Sequence, residues 1–232
     1  PHSDPYYHSK SFDEMFGFAS GGGTCAVISA TGNAEPTAAA GSDYTIPKGT
    51  PFTLTGAGTD ANGDMLSFCW EQRDLGPATT LIAADNGSSP LFRSLNPSTS
   101  PSRTFPKWTT ILANAVDNAE KLPQVSRTMD FRLTVRDNRA AGGGVATDDM
   151  IVNVDATKGP FAVSSPNGGG GPVDGDITVT WNVAGTNAAP VNTTLVDILL
   201  SVDGGATFDT ALANNTPNDG SQVVSLPVTD TS

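Results

Sequence analysis

Apolar and polar residues alternate along most of the chain with the period of two that sends every second side chain to one face of a strand. Thr50-Pro51-Phe52-Thr53-Leu54-Thr55 sets Phe52 and Leu54 inward. Met65 to Glu71 alternates likewise, with Leu66, Phe68 and Trp70 on one face. The clearest run is Met129 to Arg136. There Met129, Phe131, Leu133 and Val135 point one way and Asp130, Arg132, Thr134 and Arg136 the other. Asp137-Asn138 then turns through Gly142-Gly143-Gly144 into Asp149 to Val154, a hairpin that closes a sheet near Asp155. Further on, Ile177, Val179, Trp181 and Val183 alternate, and Val196 to Val202 turns at Asp203-Gly204-Gly205, a hairpin signal. Ser221 to Leu226 is the last readable strand. This second stretch holds about five strands, fewer than a complete sandwich has, which predicts an open edge or a missing strand.

The first twenty or so residues break the strand period. Phe12, Met15 and Phe16 stand at i, i+3 and i+4, predicting one short helix over Ser11 to Phe18. Ser9 or Ser11 is the expected N-cap, with acids in the first turn, and Gly21-Gly22-Gly23 ends the helix. A helix this short is unstable without a surface to pack on, so the pattern assigns it to a preceding domain. Residues 74–106 read as a long Ser/Pro/Asn/Gly-rich loop, Thr109 to Asn114 as one helical turn, and Lys158-Gly159-Pro160 as a boundary. The expected fold is all-β. Residues 1–33 form the tail of a preceding domain with a Gly-rich hinge, 34–157 an Ig-like or PKD-like sandwich, and 158–232 a fibronectin type III-like sandwich, truncated. The chain opens Pro1-His2-Ser3 without an initiator Met or signal peptide and stops at Ser232, as a piece of a longer protein would.

Composition narrows the function classes. Among 232 residues, 25 glycines and 17 prolines mark a turn-rich chain, while 37% hydrophobic residues suffice for real cores. With 24 acidic against 12 basic residues, the formal charge of −12 repels a phosphate backbone and argues against nucleic acid as partner. No stretch reaches the ~20 apolar residues of a membrane helix. Few lysines with many Asp, Thr, Ser and Asn suit an exported protein.

In that setting Cys25 and Cys69 are expected to form a disulfide, with two free thiols as the alternative. Asp60-Ala61-Asn62-Gly63-Asp64 sets three oxygen-bearing side chains at alternate positions, the hard-donor chemistry Ca²⁺ prefers. Gly63 falls too early for an EF-hand, and the competing reading is an Asn-Gly turn whose Asp side chains cap the loop. Three ligands need help, which Asp148 and Asp149 could supply if strand pairing brings them near. Trp70 and Trp181 lie on apolar faces and read as core, leaving Trp108 as the one candidate sugar-stacking platform. The glycine runs lack phosphate-loop context. No Gly-x-Ser-x-Gly elbow occurs, and Glu35, Glu71 and Glu120 are unmarked as a glycosidase pair.

One resemblance spans nearly the whole chain. Asn33-x-x-Pro36, Thr45-Ile46-Pro47-x-x-Thr50-Pro51-Phe52-x-Leu54, Thr59-Asp60-x-x-Gly63-Asp64 and Cys69-Trp70-Glu71-Gln72 open an ordered series. Ser126-Arg127-Thr128-x-x-Phe131-Arg132-Leu133-Thr134, Gly159-Pro160-Phe161, Val179-Thr180-Trp181 and Leu200-Ser201-x-Asp203-Gly204-Gly205 continue it. The series resembles the region downstream of the catalytic domain in bacterial secreted reprolysin-like zinc metalloproteases of the metzincin group. Ser3-Asp4-x-Tyr6-Tyr7-His8-x-x-Ser11 resembles the tail of such a protease domain. The family's zinc site needs HExxHxxGxxH, whereas this chain has only His2 and His8, with no Glu between them. The resemblance therefore implies non-catalytic scaffolding and targeting sandwiches, with zinc confined to an upstream domain and that domain as chief partner. The alternative is a Ca²⁺-dependent adhesion or carbohydrate-binding module whose partner is an extracellular protein or glycan.

Overall fold

Alternation becomes strand wherever one parity can be buried. The computed structural model describes residues 4–23, 25, 27, 29–167 and 175–227; His2, Ala26, Ile28, the Gly168–Gly171 run and Ser232 lie outside the described residues. The chain runs through α1 (Ser9–Gly17) and a π-helical turn (Phe18–Gly22) into β1 (Tyr44–Pro47), β2 (Phe52–Thr55), β3 (Ser67–Gln72) and β4 (Ser102–Phe105). It continues as α2 (Trp108–Leu112), β5 (Arg127–Arg136) and β6 (Val145–Asp155), then β7 (Ala162–Ser165), β8 (Asp176–Asn182), β9 (Leu195–Leu200), β10 (Thr210–Pro217) and β11 (Ser221–Ser225). The protein is all-β with a short N-terminal helix. It divides into two compact units, Pro1–Tyr44 with Pro51–Asn153, and Thr45–Thr50 with Val154–Ser232. The N-terminal helix thus belongs to the first unit.

The first unit is organised by β5. Met129, Phe131, Leu133 and Val135 are each fully buried at 0% exposure. The sheet order is β1-β6-β5-β3. β3 runs antiparallel to β5 with Phe68 opposite Val135, Trp70 opposite Leu133 and Glu71 opposite Arg132. Because paired residues share a face, Trp70 joins the core parity and Glu71 the opposite one. The second layer is the β2-β4 ladder, with Phe52 opposite Phe105. Phe52, Phe92, Phe105 and Phe131 meet between the layers; Phe52 and Phe105 stack at 5.1 Å, and Phe105 meets Phe131 edge-on at 5.1 Å. Gly56 ends β2 where a Cβ would stand 2.3 Å from Leu133 Cδ2, so only glycine lets the layers close.

The expected loop over residues 74–106 needs correction, since it contains β4 and delivers Leu91 and Phe92 to the core. Two buried ion pairs tether this segment and the stretch after it. Arg127 has the core parity of β5 and is fully buried; its guanidinium donates to Asp85 Oδ1 at 2.9 Å. Arg103 donates to Glu120 Oε1 at 2.7 Å and to the carbonyl of Trp70 at 2.6 Å.

The second unit packs the β11-β8-β7 sheet over the β10-β9 hairpin. Val179, Trp181 and Val224 form its core, with Ile177, Val196, Ile198 and Leu212 against it. Trp181 Nε1 donates to Asn218 Oδ1 at 2.8 Å, and the buried Asn218 amide donates in turn to Thr186 Oγ1 and Thr193 O. An apolar groove of about 390 Å³ runs along this core, lined by Phe161, Trp181, Ile198 and Leu226. Among the described residues β9 pairs with β10 alone. Among the described residues no helix is long and apolar enough to cross a membrane.

Phe105 touches three other rings at zero exposure, and its loss leaves a cavity between layers. Phe105→Ala is expected to cost about 3–5 kcal/mol by urea unfolding. Val116→Ala, on an exposed side chain, is expected to change stability by less than about 0.5 kcal/mol.

Candidate functional site

Two polar assemblies are built on the first unit. The earlier one in the sheet's logic is an acidic cluster where two loops meet. Asp60 Oδ1 accepts from the amides of Asn62 at 2.8 Å and Asp64 at 2.9 Å, the Asx-type capping that an Asn-Gly turn requires. Asn62 Oδ1 accepts from the Ala34 amide at 2.7 Å. Of the expected Asp60, Asn62 and Asp64, the two aspartates converge with Asp137, each offering a carboxylate oxygen within 4.8 Å of the others, while Asn62 Oδ1 is engaged by the Ala34 amide. Asp60 Oδ2 is buried and has no hydrogen-bond partner among the described residues.

Asp137 follows β5 directly and is 2% exposed. Its oxygens accept from Gly144 N at 2.8 and 2.9 Å, from Arg139 N at 3.1 Å and from the Asn33 amide. A Cβ on Gly144 would meet Pro36 Cδ at 2.8 Å and Asp137 Oδ2 at 3.0 Å, so glycine is what allows this close cradle. Burial alone would raise the Asp137 carboxyl, but the bonds from Asn33, Arg139 and Gly144 outweigh it and hold it below the usual carboxylate range. Arg139 also reaches Asp64 Oδ2 at 3.5 Å and Asn33 Oδ1 at 3.2 Å, bringing a tethered positive charge to the cluster. Asp148 and Asp149 do not supply the expected help. Asp148 accepts from Ala40 N, and Asp149 forms a two-pronged bond with Arg132 at 2.6 and 2.7 Å.

The second assembly fastens α1 to the non-core face of β3 and β5. His8 Nδ1 meets Glu71 Oε1 at 2.8 Å, and Nε2 meets Asp4 Oδ2 at 2.9 Å. Glu71 Oε2 accepts from the Ser9 amide at 2.9 Å. The helix starts at Ser9 with His8 at the N-cap position, and no side chain of the segment caps it. The expected Ser9 or Ser11 cap and the acids in the first turn are therefore replaced by a long-range cap from β3, because Ser9 is already helical. Asp13 accepts from Arg73 at 2.6 Å and Arg132 at 2.7 Å, and Arg136 donates to Tyr7 O at 3.0 Å. Tyr6 OH bonds Ser94 Oγ. Of the expected apolar face, Phe12 is half-buried and stacks on Phe16 at 5.9 Å, while Met15 and Phe16 are 41% and 60% exposed; Phe18, just after the helix, is 69% exposed.

The expected disulfide is not formed. Both cysteines are free, Cys25 exposed and Cys69 buried. Cys69 shares the face of Glu71, where its Sγ lies 3.5 Å from Leu95 O and 3.8 Å from Ser94 Oγ, enclosed away from solvent. Burial, and then Glu71, push its thiol above the usual range. Trp108 opens α2 and is 39% exposed, while Trp70 and Trp181 are buried as the alternation implies. No protein-family model matches the chain, and no curated protein matches it.

Asp137→Ala leaves the Gly144 and Asn33 donors without their acceptor, and is expected to cost about 1–3 kcal/mol. Because the folded carboxyl titrates below its usual value, its contribution is present above that value and is lost as pH falls. The melting-temperature gap between wild type and Asp137→Asn should therefore shrink from about pH 5 to about pH 2. A constant gap would show that the charge on Asp137 carries none of the effect.

Proposed function

We propose that this chain is the non-catalytic scaffolding and targeting region of a secreted reprolysin-like zinc metalloprotease, and that the first sandwich anchors the protease domain through α1. The observation that carries this reading is the division of labour on α1. Its first turn and Asp13 are bonded to Glu71 of β3, Arg73 and Arg132 of β5, while Met15 and Phe16, with Phe18 just after the helix, stay exposed. Large apolar side chains exposed together on one short segment mark an interaction site, as expected of a helix that closes a preceding domain. The N-terminal residues that resemble the end of a protease domain lie on the same segment.

The direct test is the coding sequence upstream of Pro1. An HExxHxxGxxH motif is expected there, and an upstream region without it sinks the reading. In the longer polypeptide, Met15→Ser with Phe16→Ser is expected to loosen the upstream domain, read as faster proteolytic separation of the two parts. Expressed by itself, the present chain should hydrolyse no protein substrate with zinc supplied; chelator-sensitive turnover would count against the proposal.

A second reading, calcium-linked adhesion or glycan binding, is favoured by the unpartnered Asp60 Oδ2 beside Asp64 and Asp137. Oxygen donors suit Ca²⁺, which takes six to eight ligands, so three carboxylates would leave the remainder to water and backbone carbonyls. Such a site belongs among weak extracellular ones, with Kd of about 10⁻⁴–10⁻³ M. Calorimetric titration with Ca²⁺ is expected to give heat in that range for wild type and none for Asp60→Asn. Absence of heat in wild type up to about 10 mM Ca²⁺ removes the reading. Glycan arrays with and without Ca²⁺, repeated for Trp108→Ala, test whether the exposed indole is the platform.

A further inference from the structure

The contact that starts α1 is more than a tether. Both ring nitrogens of His8 face carboxylate oxygens, Glu71 at 2.8 Å and Asp4 at 2.9 Å. An ionised carboxylate only accepts hydrogen bonds, so each nitrogen has to donate. A neutral imidazole carries one N–H; only imidazolium carries two. The geometry is therefore satisfied in full by the protonated ring alone. One of the two carboxylates is 6% exposed at its side chain and already holds the Ser9 amide, so loss of the His8 proton acts on a desolvated charge at the helix start.

We infer that His8 is a pH-sensitive latch that holds α1 on the first sandwich when protonated and loosens it as the solution becomes alkaline. The charged groups that meet His8 directly are Asp4 from its own segment and Glu71 from β3, and both favour imidazolium. Around Tyr6, whose ring lies 5.0 Å from the imidazole, stand Cys69 of β3 and Arg136 of β5, the latter 5.9 Å from the Tyr6 ring and a positive charge that opposes imidazolium. Ser94 is uncharged. Burial pushes the Tyr6 phenol up to about 12 and raises the Cys69 thiol, so neither titrates near neutrality. For His8 itself burial favours the neutral ring, but the bonds to Glu71 and Asp4 outweigh it and raise the imidazole above its ordinary value. A raised folded value means that the stabilisation is complete below the ordinary value of about 6.5 and disappears as pH climbs through the folded one. The inference concerns the chain's own contacts and holds whatever precedes the helix.

The test is a proton NMR titration of the imidazole signals of the full chain, with His8 assigned by its absence in His8→Gln. A midpoint above about 6.5 that falls in Asp4→Asn supports the latch; a midpoint at or below 6.5 overturns it. Melting temperature across the same pH series gives the second readout. The wild-type advantage over His8→Gln should fade from about pH 6 to about pH 9. Parallel curves over that range would mean a purely structural contact and would also overturn the latch.

Discussion

Everything in the first unit depends on the period of two in β5. One parity, Met129 to Val135, is sealed between the layers, and the other sets Arg132 and Arg136 on the opposite face. Because β3 pairs with it in register, Trp70 follows Leu133 into the core and Glu71 follows Arg132 out of it. The same ladder that buries the aromatic cluster therefore also assembles the cation and anion sites that receive α1. A slip by one residue would exchange the two faces, placing charges in the core and apolar side chains under the helix.

The same parity rule explains the costliest feature of the unit. Arg127 stands at the start of β5 on the core side, so its guanidinium is buried whether or not a partner is present. Asp85, from the long segment before α2, neutralises it, and its carboxyl is held low by the amides of Gln124 and Gly87 and by Arg127, against the upward pull of burial. Arg103 and Glu120 make a comparable pair. Buried pairs of this kind contribute little net stability, since desolvation offsets attraction, yet removing one partner costs about 3–5 kcal/mol. Their effect is to make one arrangement of the irregular segment far better than its alternatives.

Legibility followed the local strength of the pattern. β5, β6, β2, β3 and β8 are visible in the sequence because bulky apolar residues alternate there. β4 is Ser-Arg-Thr-Phe, with one inward apolar residue, and only its pairing with β2 reveals it as a strand. β10 has small and polar residues and register shifts after Ala211 and Ala213, so its period is broken. The acidic loop was marked by Asp60 and Asp64, but Asp137 is distant in sequence and arrives through the β5 turn; the Gly-rich stretch after it was its one local signal. Asp148 and Asp149 failed as helpers because β6 commits them to Ala40 and Arg132. Cys69 failed as a bridge partner because its strand parity encloses it beside Leu95 while Cys25 stays in solvent.

The helix itself shows why polar docking matters more here than apolar burial. A nine-residue helix does not hold by itself, because nucleation is unfavourable and few bonds propagate. Of its larger apolar side chains Phe12 is half-buried while Met15 and Phe16 stay exposed, so the hydrophobic effect contributes only modestly to keeping it in place. What remains are the His8 contacts to Glu71 and Asp4, the cap supplied by Glu71, worth about 1–2 kcal/mol in comparable settings, and ion pairs at Asp13 that are partly open to solvent and so individually weak. A helix held this way keeps its orientation on the sheet but has little reserve. Covering Met15 and Phe16 with a second body would add burial that the helix lacks.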